Sequence, residues 1–157
     1  MRWDAVIIAA VSATAVAAIG GTLTDLGAWY HNLKEPWWKP PDSAFGLIWT
    51  TIFALAAISG VLGWRSERTA GGRQWLIGLF ALNGFLNVFW SLMFFQIKRP
   101  DLAMVEVGGL WLSILALIVV LYRRSRVASA LLVPYLIWVS IAAALNYEVV
   151  VLNGPFS

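Results

Sequence analysis

Positions 75–97 read WLIGLFALNGFLNVFWSLMFFQI, 23 residues without one acidic or basic side chain. As an α-helix this stretch is about 35 Å long, enough to cross ~30 Å of hydrocarbon. It lacks the alternating polarity of a lipid-facing barrel strand, so a membrane helix is the reading. Four further apolar runs of similar length flank it, at 5–23, 44–64, 102–122 and 127–152. The chain is therefore expected to be an all-α membrane protein, a bundle of five transmembrane helices, with residues 1–157 forming one transmembrane domain.

Composition agrees. Of 157 residues, 61% are hydrophobic and 12% charged, whereas soluble domains carry roughly 45–50% and about 25%. A soluble chain of this size has no core large enough to hide so much apolar surface. The net charge of +3 comes from dispersed basic residues with no basic helix or stripe, which argues against a nucleic-acid partner. With no cysteine and a single histidine, His31, disulfides, thiol nucleophiles and the common zinc clusters are excluded. The first run follows Arg2 and is rich in alanine, as signal peptides are. Asp4 and the length of the run favour a retained span.

Five spans put the N-terminus and the segments 65–74 and 123–126 on one side. That side carries seven basic residues: Arg2, Arg65, Arg68, Arg73, Arg123, Arg124 and Arg126. Lys34, Lys39, Lys98 and Arg99 are the four on the other. By the positive-inside rule the N-terminus is cytoplasmic and the long loop 24–43 and the C-terminus face outward. Helical spans favour a bacterial inner membrane over an outer one.

Four groups of residues stand out as candidates. The loop 24–43 holds Trp29, Tyr30, Trp37 and Trp38 among Pro36, Pro40 and Pro41. So many aromatics on a stiffened backbone suit either an interface anchor or a lid over a cavity. In the third run Asn83, Asn87, Trp90 and Phe94 share one helix face, so its buried amides act either as helix–helix glue or as groups that orient a ligand. Phe45, Trp49 and Phe53 form a stripe in the second run. Tyr135, Trp138, Ala142, Leu145 and Asn146 form another in the fifth, where Pro134 interrupts the backbone hydrogen bonding. The acids Glu106 and Glu148 fall inside spans, and pairing or snorkelling is expected for both, with Lys98 and Arg99 near Glu106. Gly60, Gly63, Gly78, Ala81 and Gly84 suit close helix approach or a dimer face. No phosphate loop, metal triad or nucleophile–base set is present.

Several motifs in a fixed order give the chain a resemblance. They are Trp29-Tyr30 followed by Leu33-Lys34, then Pro36-x-Trp38-x-Pro40-Pro41, Trp49-Thr50, Leu82-Asn83, Asn87 through Trp90, Phe94-Phe95, Pro134-Tyr135-Leu136-x-Trp138 and Leu145-Asn146-Tyr147. Over nearly its whole length the chain resembles the TspO/translocator family, also called tryptophan-rich sensory proteins or peripheral benzodiazepine receptors. The resemblance implies a dimeric five-helix bundle that binds porphyrins such as protoporphyrin IX, sterols, and isoquinoline or benzodiazepine-type drugs under the first loop. Carried over by motif, the ligand-binding residues would be Tyr30, Trp38, Trp49, Asn83, Asn87, Trp90, Trp138 and Ala142. Gly46 and Leu92 stand where many relatives have proline, and Phe53 stands where many have tyrosine. The sterol signature lacks its basic residue after Tyr147, which makes porphyrin the favoured ligand over sterol.

The expectation is thus a membrane receptor or carrier for a flat apolar guest, a metal-free porphyrin foremost, with a role in tetrapyrrole transport or stress regulation. Trp49, Trp90 and Trp138 would contact the ring plane, Asn83 and Asn87 its polar atoms, and Lys34 or Lys39 its propionates. No catalytic residue, metal or resident cofactor is assigned, and the partners expected are this guest, membrane lipid and a second copy of the chain. The alternatives are a light-dependent porphyrin-degrading enzyme, which relatives suggest, and a ligand-responsive sensory or interaction protein.

Overall fold

The computed structural model describes residues 3–157, so Arg2 lies outside the described residues. It is helical throughout, and no strand occurs among the described residues. The elements are α1 (Asp4–Leu23), α2 (Ala28–His31), α3 (Asp42–Ser66), α4 (Ala70–Ser91), α5 (Pro100–Tyr122), α6 (Arg126–Leu131) and α7 (Val133–Asn153). Five helices are long and apolar enough to cross a bilayer, with α4 extended to Gln96 and α6–α7 acting as one. The helix ends fall where the chemistry allows. Pro100 opens α5 at a position where its missing N–H has no intrahelical partner to lose. Thr69 caps α4 by accepting from Gly72 N at 3.0 Å.

The bundle is built around α5. Its buried residues Ala103, Val107, Leu110, Ile114, Leu117 and Leu121 recur at alternating steps of four and three, which makes one continuous stripe. This stripe packs on α4 and α7. α3 joins through Gly63, where an added Cβ would stand 2.5 Å from Leu121 Cδ2. Gly63, read from sequence as suited to close helix approach or a dimer face, serves close approach within the chain. α1 is different. It leans on α3 and α4 yet buries none of its own residues. Apolar side chains such as Leu47 and Val105 stand outward, three-quarters exposed, as a surface solvated by lipid permits.

Two spans are irregular, the third unexpectedly and the fifth where Pro134 predicts it. The third span is a π-helix over Leu92–Gln96, with Ile97 N donating to Leu92 O at 2.9 Å. The extra residue per turn shifts the phase of the helix, so neighbouring Phe94 and Phe95 are both buried. Lys98 then adopts a left-handed φ of 58° and Arg99 N returns to Met93 O at 3.0 Å, closing the helix end. The fifth span is split at Leu132, because Pro134 has no N–H to continue the ladder and its ring crowds the preceding turn. The short α6 is pinned by Ser59 Oγ donating to Ala128 O and Ser129 Oγ donating to Ile118 O, both at 2.7 Å.

The side opposite the long loop is tied by Glu67, which accepts from Thr69 N and Thr69 Oγ1 at 3.0 Å and pairs with Arg124. The Thr69 backbone bond first, then Arg124, hold its carboxyl at about 2, well below the usual carboxylate range.

Two outcomes follow for stability. Gly63→Ala is expected to lower stability by about 1 kcal/mol, because overpacking against the fully buried Leu121 exceeds the gain in helix propensity. Gly84→Ala meets only Val16, at 3.2 Å, and should cost less in thermal unfolding in detergent. A carboxyl with a depressed folded pKa stabilises the fold above its unfolded pKa and loses that contribution as pH falls towards the folded value. Wild-type melting temperature should therefore fall as pH drops from about 5 to about 2, and Glu67→Gln should flatten part of that fall.

Candidate functional site

The aromatic stripes meet in one place. A cavity of about 600 Å³ lies beneath the long loop, walled by α3, α4, the π-helix, α7 and the last turns of α1. Of the eight residues proposed from sequence, Tyr30, Trp49, Asn87, Trp90, Trp138 and Ala142 line it. The rings stand against one another at steep angles. Trp49 and Trp138 are 6.3 Å apart and 83° inclined, Trp49 and Tyr135 are 6.2 Å apart at 81°, and Phe45 lies 5.6 Å from Trp138. Trp90 stacks on Phe94 at 5.1 Å. Edge-to-face packing of this kind fixes each ring against its neighbours.

Polar groups set the depth of the cavity. Tyr135 donates its hydroxyl to Asn83 Oδ1 at 3.1 Å and accepts from Asn87 Nδ2 at 2.9 Å, while Asn83 Nδ2 donates to Ser113 Oγ at 3.0 Å. Trp90 Nε1 donates to Asn146 Oδ1 at 3.0 Å, and Asn146 Nδ2 donates to Pro100 O at 2.9 Å. Trp90 is therefore fixed by its edge and presents a face. Trp138 is the opposite case, for its buried Nε1 has no hydrogen-bond partner.

Two expected residues fall elsewhere. Asn83 does not line this cavity; it is turned toward α5 by Ser113 and borders a second chamber. Trp38 is also outside the lining. It is half-buried at the centre of the turn closed by Lys39 N donating to Pro36 O at 3.2 Å. Trp37, its neighbour in that turn, is 95% exposed, as an interface anchor would be.

The loop is a lid as well as an anchor. α2 places Trp29 against Phe94 and Tyr30 against Phe95, and Tyr30, Leu33, Glu35 and Lys39 face the cavity. Tyr30 donates its hydroxyl to Asp42 Oδ1 at 2.8 Å. Lys39 Nζ bridges Asp42 at 2.6 Å and Glu35 at 3.3 Å. Burial, then the Asp42 hydrogen bond and the charges of Asp42 and Glu35, push the Tyr30 phenol far above its usual range. Burial opposes the Lys39 charge, but its hydrogen bonds to Asp42 and Glu35 outweigh it and raise its pKa. The lid thus carries a neutral phenol and a permanent cation. Asn153 of α7 holds the lid backbone, accepting from Lys34 N at 2.7 Å and donating to Lys34 O at 2.9 Å. Asp42 was missed from sequence, although its three-residue spacing from Lys39, and the four-residue spacing of Glu35 and Lys39, are the signal for such a cluster.

Glu106 differs from expectation. Arg99 pairs with Asp101 at 2.6 Å and not with Glu106. Both carboxyl oxygens of Glu106 are buried without a partner, because α5 turns them inward, out of reach of the surface. No cluster of His, Cys, Asp and Glu suited to a metal occurs among the described residues.

The TspO/MBR family profile matches residues 6–152. The chain belongs to the TspO/MBR family. This TspO/MBR chain is 39% identical to the tryptophan-rich protein TspO of Chlorobaculum tepidum, over 88% of its own length and 89% of the relative's. It is 33% identical to the tryptophan-rich sensory protein of Cereibacter sphaeroides, over 98% and 94%, and 33% identical to the translocator protein of Sus scrofa, over 88% and 86%. Together with its five spanning helices, family membership makes it a multi-pass integral membrane protein.

Asp42→Asn keeps an acceptor for Tyr30 but removes the ion pair with Lys39. Amide hydrogen exchange across 28–40 should accelerate several-fold in this variant, with little change in α5. Unchanged exchange would mean that the Lys34–Asn153 clamp alone holds the lid.

Proposed function

We propose that this TspO/MBR protein binds a flat, mostly apolar small molecule under its lid, a metal-free porphyrin foremost, and serves as its receptor or carrier. The observation that carries this reading is the convergence of Trp49, Trp90 and Trp138, from three different spans, on one cavity. Aromatic contacts contribute about 0.5–1.5 kcal/mol each beyond area burial, so three rings favour a guest with large π-faces. Trp138 offers its ring, its Nε1 being closed off within the wall, and Asn87 spends its amide nitrogen on Tyr135, which leaves its carbonyl oxygen for a guest N–H.

The lining contains no His, Cys or Met, the side chains that most often hold haem iron. This favours the metal-free ring. Lys39, expected to draw propionates, is already held by Glu35 and Asp42, so an acidic edge of the guest competes with those carboxylates for it. The names of the relatives, sensory for one and translocator for another, suit either receptor or carrier. The proposal includes a homodimer in a bacterial inner membrane with the N-terminus cytoplasmic. The arginines of 65–73 and 123–126 at one end of the bundle support that orientation.

Titration of protoporphyrin IX and of its iron complex, read by tryptophan fluorescence, tests the proposal. The metal-free ring should bind, with the iron complex no tighter. Trp138→Phe removes part of one ring face, worth about 1 kcal/mol, and should weaken binding about fivefold. Much tighter binding of the iron complex, or an unchanged affinity in Trp138→Phe, overturns the assignment.

A further inference from the structure

A second chamber, of about 430 Å³, lies between α1, α3 and α4 on the side away from the lid. It is not an isolated groove. Phe53 lines both this chamber and the lid-side cavity. Along α1 the second chamber is bordered by residues from Asp4 to Val16, and the lid-side cavity by residues from Ala17 to Thr24. Along α4 the change comes between Phe85 and Asn87, and along α3 it comes at Phe53 itself. The two spaces are therefore stacked end to end along the bundle axis. Together they follow α1 from Asp4 to Thr24, about 30 Å at helical rise, which is the thickness of the hydrocarbon core.

The partition between them is slight. Phe53 is a half-buried ring stacked on Trp49 at 5.5 Å. Beside it the polar relay straddles the boundary, with Asn83 on the second chamber, Asn87 on the lid-side cavity and the Tyr135 hydroxyl bonded to both. The shared outer wall is α1, whose contributions to the two spaces include Ala9, Ala13, Ala17 and Gly20, and which buries no residue of its own. A wall of mostly small side chains, with Ile8 and Val16 its larger members and none buried, gives way at low cost, since few contacts must break.

The geometry points to a passage in which the second chamber is a further binding site for the same flat apolar guest, joined in series to the lid-side cavity with Phe53 as the gate. This inference rests on the receptor reading and extends it to a route across the bilayer. The occupant follows from continuity: a molecule seated against Trp49 and Phe53 has one ring between it and the next chamber.

The chain has no cysteine, so single thiols report cleanly. Leu145→Cys marks the lid-side cavity and Ala57→Cys the second chamber. In full-length protein in lipid nanodiscs, labelling by a small membrane-permeant maleimide is followed with and without protoporphyrin IX. Porphyrin should slow labelling several-fold at both positions, and adding Phe53→Trp should remove the effect at Ala57→Cys alone. Where Phe53→Trp fails to fold, Phe53→Ala should instead hasten protection at Ala57→Cys. Protection at Leu145→Cys but not at Ala57→Cys overturns the passage and leaves the receptor reading standing. Protection at neither position overturns both. An Ala57 thiol shielded without porphyrin and released by exchange into short-chain detergent places a lipid tail there, which also overturns the passage. So does protection indifferent to every change at Phe53.

Discussion

The Tyr135 hydroxyl, buried at the centre of the bundle, sets the depth at which three helices meet. It donates to Asn83, accepts from Asn87, and through Asn83 reaches Ser113, so α4, α5 and α7 share one register. In hydrocarbon no water is at hand to replace a lost partner, and an unsatisfied buried polar group costs several kcal/mol. The rest of the architecture follows from that constraint. With α4, α5 and α7 locked by the relay, the leucines and isoleucines of α5 fill the centre, and the tryptophans of α3, α4 and α7 are left facing a space that no side chain fills.

That space is maintained by a contrast in packing. On the side of α5 the bundle is dense, with Leu110, Ile114, Leu117 and Leu121 essentially inaccessible. On the side of α1 it is loose, with small residues and no buried one. A helix that contributes no buried residue adds little cohesion, yet it completes the wall of both chambers. The lid seats Trp29, Tyr30 and Leu33 on the cluster of Phe94 and Phe95, and polar ties fasten it further. Asp42, Lys39 and Glu35 close one end of it and Asn153 the other. Every one of these ties is local or terminal, which leaves the lid separable from the core that Tyr135 organises.

Among the described residues, two buried side-chain groups lack hydrogen-bond partners. Trp138 Nε1 lies in the wall of the lid-side cavity and the Glu106 carboxyl lies on the inward face of α5. Each is an exception to the rule that buried polar atoms are bonded. In a membrane span such an exception carries a larger cost than on a soluble surface, so both are retained against the stability of the empty fold. The tryptophan ring still has a use, as a face for the proposed guest. Nothing among the described contacts gives the carboxyl one.

Much was legible in the amino-acid order because lipid imposes simple rules. Five apolar runs of span length predicted five spans, and the shared spacing of Asn83, Asn87, Trp90 and Phe94 predicted a common face. The common wall of Trp49, Trp90 and Trp138 was an expectation of the family resemblance, since spacing alone left each stripe open to plain packing. What remained depended on partners distant in the chain. Asn83 was assigned to the guest, but Ser113, thirty residues away, takes its amide. Trp38 was assigned to the lining, but the turn at Pro36 sends Lys39 inward in its place. The π-turn at Leu92, the inward carboxyl of Glu106 and the meeting of two chambers at Phe53 leave no periodic trace, since each is a matter of how one helix is phased against another. Local hydrophobicity decided what crosses the membrane, and only the packed bundle decided which polar atoms would be satisfied and where the empty space would lie.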